Sequence, residues 1–283
     1  MEIITADTLG HGAMRELFNA GFTGYLVPMH LDETAFETHL SANDIDLGAS
    51  PVLVDADPVA FALVGIRGAD AWIGGMGTVP AARRGGRARE VMGAAIASAH
   101  AQGCRSLWLE VIDANRPALA LYEQLGFETT RDLMVWRLSR PPEQSAAPEA
   151  DAEAGLEVEL ERARSWISAN RQSAEPWQRS DRALDHLRRD AGDLRAAGVS
   201  RKREGDGDGE LVGAVIYTVS GGAARVLQIA AADEPTAATL LRSAANGQPL
   251  SVGNVPEDEH ASLAMESLGA ELIARQHEMR LAL

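Results

Sequence analysis

Residues 107–127 read LWLEVIDANRPALALYEQLGF. Leu109 and Val111 alternate with Glu110, which predicts a strand with its apolar residues on one face and a carboxylate on the other. Asn115 stands ahead of Arg116 and Pro117. Asparagine accepts from the first free amides of a helix and proline fits its first turn, so RPALALYEQL is expected to be a short helix. A further strand, LMVWRL at 133–138, follows.

Upstream, the strand AWIGGMGTV (71–79) meets Pro80, which has no amide hydrogen to give and suits a strand end. Gly85, Gly86 and Ala88 then leave the main chain of a turn unshielded where an alanine-rich helix, about 86–102, begins. Free N–H groups of such a turn converge with the positive end of the helix dipole, a setting for a pyrophosphate. Arg83, Arg84, Arg87 and Arg89 concentrate positive charge in the same place. Taken alone, the turn is equally a helix start with solvated basic residues. Neither a GxxxxGK loop nor a GxGxxG fingerprint accompanies it.

Together, VPAARRGGRA (79–88), which fits V-P-x-x-R-x-x-G-x-A, and LWLEVIDANRPALALYEQLGF resemble the GCN5-related N-acetyltransferase (GNAT) superfamily. The first segment is similar to its pyrophosphate motif, the second to its strand, asparagine-led helix and LYExLGF signature. The resemblance covers roughly residues 1–140 and implies an N-acetyltransferase with acetyl-CoA as cosubstrate and no metal. It implies that the main chain of Gly77, Thr78 and Val79 pairs with the pantetheine arm, Gly74, Gly75 and Gly77 permitting close approach. The amides around Arg84, Gly85, Gly86, Arg87, Ala88 and Arg89 would hold the pyrophosphate. Ala88 departs from the glycine of many members, and Arg84 and Gly85 occupy positions often filled by glycine and a basic residue. Asn115 would cap its helix, either alone or while also bonding the arm. Tyr122 matches the family's general acid, the other reading being a ring packed on Phe127. Glu110 resembles the glutamate proposed as base in ribosomal-protein alanine acetyltransferases, the other reading being a structural salt bridge.

The chemistry asks for such a pair. An amine with a pKa near 10.4 is neutral only about once in 2,500 molecules at pH 7, and a departing thiolate needs a proton donor.

The chain has 283 residues, room for two domains. Helices at 9–20 and 33–42 and strands at 51–57 and 58–66 precede the quoted segments, so the first domain, 1–140, reads as mixed α/β. Residues 141–155 fall in the proline-rich, acidic stretch SRPPEQSAAPEADAEAG and read as a linker. Within 156–283, the strands ELVGAVIYTV and ARVLQIAAA, helix PTAATLLRSAA, strand PLSVGNV, helix DEHASLAMESL and final HEMRLAL repeat the earlier order. EQLGFE (123–128) matches ESLGAE (266–271), and in both an Arg-Leu pair begins eleven residues after the glycine. The expectation is a tandem protein with a degenerate second copy. Met265 stands where Tyr122 does, Ala270 replaces Phe127, and DEPTAATLLRS has acids and no glycine where the anion turn would lie. Walling the acceptor cleft or mediating assembly is then its expected role. EGDGDGE (204–210) lacks the ligand ladder of a calcium loop and reads as an exposed turn.

A net charge of −15 disfavours nucleic acid and anionic membranes and favours a cationic partner. The opening residues carry no secretory pattern and no stretch is apolar for the length of a span, so the cytoplasm is the expected location. Cys104, the single cysteine, excludes an internal disulfide and reads as a small core residue. The acceptor stays open among small amines, aminoglycosides, polyamines and protein amino termini, with Phe22, Tyr25 and Met29 either lining its pocket or belonging to the core. The oligomeric state is open, a homodimer included. The alternative to an enzyme is a noncatalytic acyl-CoA-binding sensor or scaffold.

Overall fold

The computed structural model describes residues 1–139, 155–191, 193–201 and 209–283. The expected linker at 141–155, save Gly155, and residues 204–208 of the acidic turn lie outside the described residues. The chain divides into two units, Met1–Arg131 with His277–Leu283, and Asp132–Gln276.

The first unit contains β1 (Glu2–Thr5), α1 (Gly10–Gly21), α2 (Glu33–Ala42), β2 (Pro51–Asp55), β3 (Asp57–Arg67), β4 (Asp70–Thr78), α3 (Arg87–Ala101), β5 (Ser106–Ile112), α4 (Arg116–Gln124) and the start of β6 (Glu128–Leu138). β1 to β4 pair antiparallel in sequence order, and β4 pairs parallel with β5. α1 forms because Met14, Leu17, Phe18 and Gly21 fall on one face. That face packs on Phe36, Val52, Phe61 and Leu63, while Val91, Met92, Leu107, Leu109, Val111 and Tyr122 fill the other side of the sheet.

The glycines of β4 serve this packing. A Cβ on Gly74 would lie 2.5 Å from Ile45 Cδ1, and one on Gly75 would lie 2.8 Å from Phe18 Cε2. On Gly77 it would lie 2.6 Å from Phe61 Cε1 and 3.1 Å from Gly21 Cα. Their missing side chains make room for α1 and its neighbours.

Residues 132–138, placed in the first domain by the sequence, group with the second unit, and residues 277–283 group with the first. The reason is visible in the first unit. Met279 is fully buried among the β5 side chains, Arg131 Nε donates to Glu278 Oε2 at 2.7 Å, and the Arg280 guanidinium lies 5.4 Å from the Trp108 ring centre.

The second unit contains the rest of β6, then β7 (Leu156–Glu157), α5 (Leu160–Asn170), α6 (Asp181–Ala191), β8 (Arg195–Arg201), β9 (Glu210–Ser220), β10 (Ala223–Ala231), α7 (Glu234–Ala245), β11 (Leu250–Pro256), α8 (His260–Ser267) and most of β12 (Glu271–Ala282). Its antiparallel β8–β9–β10, parallel β10–β11 and intervening α7 repeat β2 to β5 and α3. The matched glycines Gly126 and Gly269 do the same work, ending α4 and α8 with φ of 92° and 74°. Among the described residues no helix is long and apolar enough to cross a membrane.

Gly77→Ala forces a methyl group against the Gly21 backbone. Chemical denaturation is expected to show a loss of about 1–3 kcal/mol.

Candidate active site

The β4–β5 ladder is short. Asp70, Ala71 and Trp72 pair with Ser106, Leu107 and Trp108, and beyond them the two strands continue unpaired to Thr78 and Ile112. On its other edge β4 stays bonded to β3, where Val79 N donates to Val59 O at 2.9 Å. Antiparallel partners alternate in direction, so Gly75, Gly77 and Val79 face β3, while Met76 and Thr78 turn their main chain to the gap. Of the three positions expected to meet the pantetheine arm, Thr78 turns its main chain to the gap, as does Met76, and Gly77 and Val79 turn theirs to β3.

The gap leads to the turn before α3. Arg84 and Gly86 are both left-handed, with φ of 64° and 78°, and Gly85 between them is not. Such alternation curls successive amides into an anion-binding nest. No side chain caps α3, and among the described residues the amides of 84–89 have no backbone acceptor. This turn fits a phosphate group.

The four arginines have different tasks. Arg83 donates to Thr78 O at 3.0 Å, Gly21 O at 3.0 Å and Thr23 O at 2.7 Å, tying the end of α1 to the end of β4. Arg87 reaches Asp55 at 3.4 Å and Arg89 bonds Gln124. Arg84, exposed, is the one with no side-chain partner among the described residues. The density of arginines is a sequence signal; their division between scaffold and free charge is not.

At the carboxyl end of β5, Asn115 accepts from Ala118 N at 3.4 Å and so caps α4. Its side chain lies near the Tyr25 phenol, whose pKa burial raises and the neighbouring Asn115 pulls back down, and whose ring meets Phe22 edge-on at 5.1 Å. Tyr122 lies close enough to Tyr25 to feel its charge, and its ring is 5.8 Å from Phe127. Burial, with Tyr25 adding to it, raises the Tyr122 pKa well above the usual phenol range. The phenol therefore keeps its proton throughout neutral pH. Tyr25, Asn115 and Tyr122 form one cluster. Glu110, half-buried on the face opposite Leu109 and Val111, accepts the Trp72 indole N–H at 2.8 Å. Cys104 is buried, as expected. Among the described residues no group of three or more His, Cys, Asp or Glu side chains is placed to hold a metal.

The second unit treats the equivalent places differently. Its β10–β11 ladder also stops after three pairs, at Val226 and Val252. There the fully buried Gln228 donates to Arg179 O at 2.6 Å and to Asp181 Oδ1 at 3.0 Å. Arg179 pairs with Glu175 at 3.0 Å, both 5% exposed, and extends to Gly253 O at 3.5 Å. Asp233 caps α7 by accepting Thr236 N at 2.9 Å, placing a carboxylate where α3 leaves free amides. Met265 is fully buried in place of a phenol.

Residues 12–127 match the Acetyltransferase (GNAT) family. The first unit is therefore a GNAT acetyltransferase-family domain. Three solved structures resemble the chain over nearly its entire length. A GCN5-related N-acetyltransferase from Sphaerobacter thermophilus has a TM-score of 0.71 at 14% identity, covering 99% of this chain and 95% of that one. A tandem GNAT protein of the clavulanic acid biosynthesis pathway has a TM-score of 0.65 at 15% identity, covering 99% and 98%. A GCN5-related N-acetyltransferase from Kribbella flavida has a TM-score of 0.57 at 17% identity, covering 100% and 71%. The chain thus has the fold of two GNAT-like domains in tandem. No curated protein sequence matches it.

Glu175→Ala leaves the Arg179 guanidinium buried and unpaired. Urea denaturation is expected to show a loss of about 3–5 kcal/mol, whereas replacing an exposed partner such as Glu161 of the Arg188 pair changes stability by less than about 1 kcal/mol.

Proposed function

We propose that the protein is an acetyl-CoA-dependent N-acetyltransferase that acetylates a primary amine, with its chemistry confined to the first unit. The early end of the β4–β5 ladder carries this reading, because the β4 edge it leaves open runs through Thr78 to the turn whose amides at 84–89 have no backbone acceptor among the described residues. Acetyl-CoA would supply an activated acyl group when bound. Its pyrophosphate suits the Arg84–Arg89 amides and the free Arg84 side chain, and its arm suits the main chain of Met76 and Thr78.

The residues of this chain supply proton handling and shape. An ammonium acceptor has to lose a proton before it can attack. Glu110, held by the Trp72 indole, is the carboxylate offered for that proton, directly or through water. Tyr122 is the donor for the leaving thiolate. Its raised pKa favours the protonated phenol and holds the proton until a thiolate lies against it. Phe22, Tyr25 and Met29, between α1 and α2, supply an acceptor wall, and the chain's net charge of −15 favours a cationic acceptor.

Calorimetric titration of acetyl-CoA into the full chain is expected to give one site. The second unit has Arg179 in its gap and Asp233 on its helix start, so two sites would overturn the assignment to the first unit. Arg84→Glu is expected to weaken binding roughly tenfold or more without lowering the melting temperature. It is preferable to a change at Gly86, whose φ of 78° strains any side chain. No binding to the wild type would remove the acetyltransferase reading.

In an amine screen, Tyr122→Phe is expected to lower kcat by about 10²–10⁴ with little change in acetyl-CoA affinity. Tight binding with no turnover on any amine would instead indicate a sensor. Because the Tyr122 pKa is raised, the phenol remains protonated as pH climbs through 10. The wild-type rate is therefore expected to rise with pH as the amine loses its proton, without a descending limb below pH 10. A decline near pH 8–9 would exclude Tyr122 as the acid.

A further inference from the structure

β4 is bulged at Gly74. Gly75 pairs with Leu63 and Ile73 with Val64, leaving Gly74 as the extra residue. A bulge frees main-chain groups from the ladder and redirects the strand beyond it. Here the freed carbonyl has a dedicated partner. His39, in the last turn of α2, brings Nε2 to 2.9 Å from Gly74 O. A carbonyl only accepts, so Nε2 carries the hydrogen and the Nδ1 lone pair faces Asn43 Nδ2 at 3.3 Å. The imidazole packs against Phe18 and Trp72, with ring centres 5.8 and 6.4 Å away. Burial lowers its pKa, against the pull of the Gly74 carbonyl, which supports the neutral tautomer that this bonding requires.

The bulge lies where a reaction would need it. With a phosphate on the 84–89 turn, an arm following β4 passes Thr78 and then Met76. At roughly 3.3 Å per residue it reaches Gly74 about 13 Å further on. Trp72, just before the bulge, holds Glu110, so the bulge joins the strand edge facing the gap to the residue holding the carboxylate.

We propose that His39 is a positioning residue for acyl transfer, fixing the Gly74 bulge at the point on β4 where the acyl end of the thioester would lie. This rests on the acetyl-CoA reading above. His39 does not touch the reacting atoms; it acts through the main chain of Gly74. The distinguishing consequence is selective, because a misdirected bulge affects the acyl end and leaves the distant phosphate turn unchanged.

The test compares acetyl-CoA with CoA by calorimetry in the full-length wild type, His39→Gln and His39→Leu, with melting temperatures measured alongside. Glutamine keeps an N–H for Gly74 O, and leucine does not. His39→Leu is expected to weaken acetyl-CoA binding by about tenfold while CoA affinity stays within about twofold. His39→Gln should recover most of the difference. If leucine weakens both compounds equally, weakens neither, or is matched by glutamine, the positioning role is overturned and the acetyl-CoA reading stands. If the wild type binds neither compound, the reading itself falls and the proposal with it.

Discussion

The ladder between β4 and β5 holds for three residue pairs and then opens, and the rest of the site depends on that opening. Two parallel strands that part leave main-chain N–H and C=O groups facing each other across a space, and buried groups of that kind need partners. A ligand with its own amides and carbonyls would complement such an open strand edge. The turn at 84–89 extends the same logic. Its amides converge without acceptors, because Arg84 and Gly86 adopt left-handed backbone and no side chain caps the helix.

The second unit shows the same constraint met from within. Its strands part at the equivalent place, yet Gln228 and the Arg179–Glu175 pair supply polar partners from the chain itself. The helix start that would receive an anion already holds the Asp233 carboxylate. The same fold can thus fill the place where its strands part with buried side chains of its own, and the desolvation of Glu175 is the physical consequence. Burial raises its pKa, and Arg179 pulls the other way.

Much of this was legible in the sequence because it depends on local rules. Pro80, the Gly85–Gly86 turn and Asn115 ahead of Arg116 announce a strand end and two helix starts, and all three lie where the pattern puts them. Glu110 opposite Leu109 and Val111 follows from strand alternation. What was not legible depends on contacts distant in the chain. Nothing local distinguishes Arg83, which ties α1 to β4, from its neighbour Arg84, whose side chain has no partner among the described residues. Met76 and Thr78 face the gap because of register with β3, and a single bulged residue decides that register. His39 is a lone histidine in a short helix, and only the fold brings it to Gly74. The grouping of residues 277–283 with the first unit has the same origin, since their partners Arg131, Trp108 and Asp113 stand more than 140 residues earlier.

The segment between α1 and α2 is fastened at both functional ends of the gap. Near the phosphate turn, Arg83 holds the carbonyls of Gly21 and Thr23 while its Nε holds Thr78 O. The Tyr25 phenol lies beside the Asn115 side chain that caps α4 and close enough to Tyr122 to raise its pKa. Farther along, Asn19 exchanges two hydrogen bonds with Leu31, both at 2.9 Å, closing the segment on itself. Phe22 and Tyr25 thus stand on a loop pinned at its base by Arg83 and closed by the Asn19–Leu31 bonds. In the proposed reaction, an acceptor meeting the wall they form would encounter side chains positioned by Arg83, which also holds the end of β4 beside the 84–89 turn. Under that proposal, selection of the amine and placement of the acyl group would be tied through Arg83, a side chain whose individual hydrogen bonds are ordinary and whose placement joins the wall to the strand end.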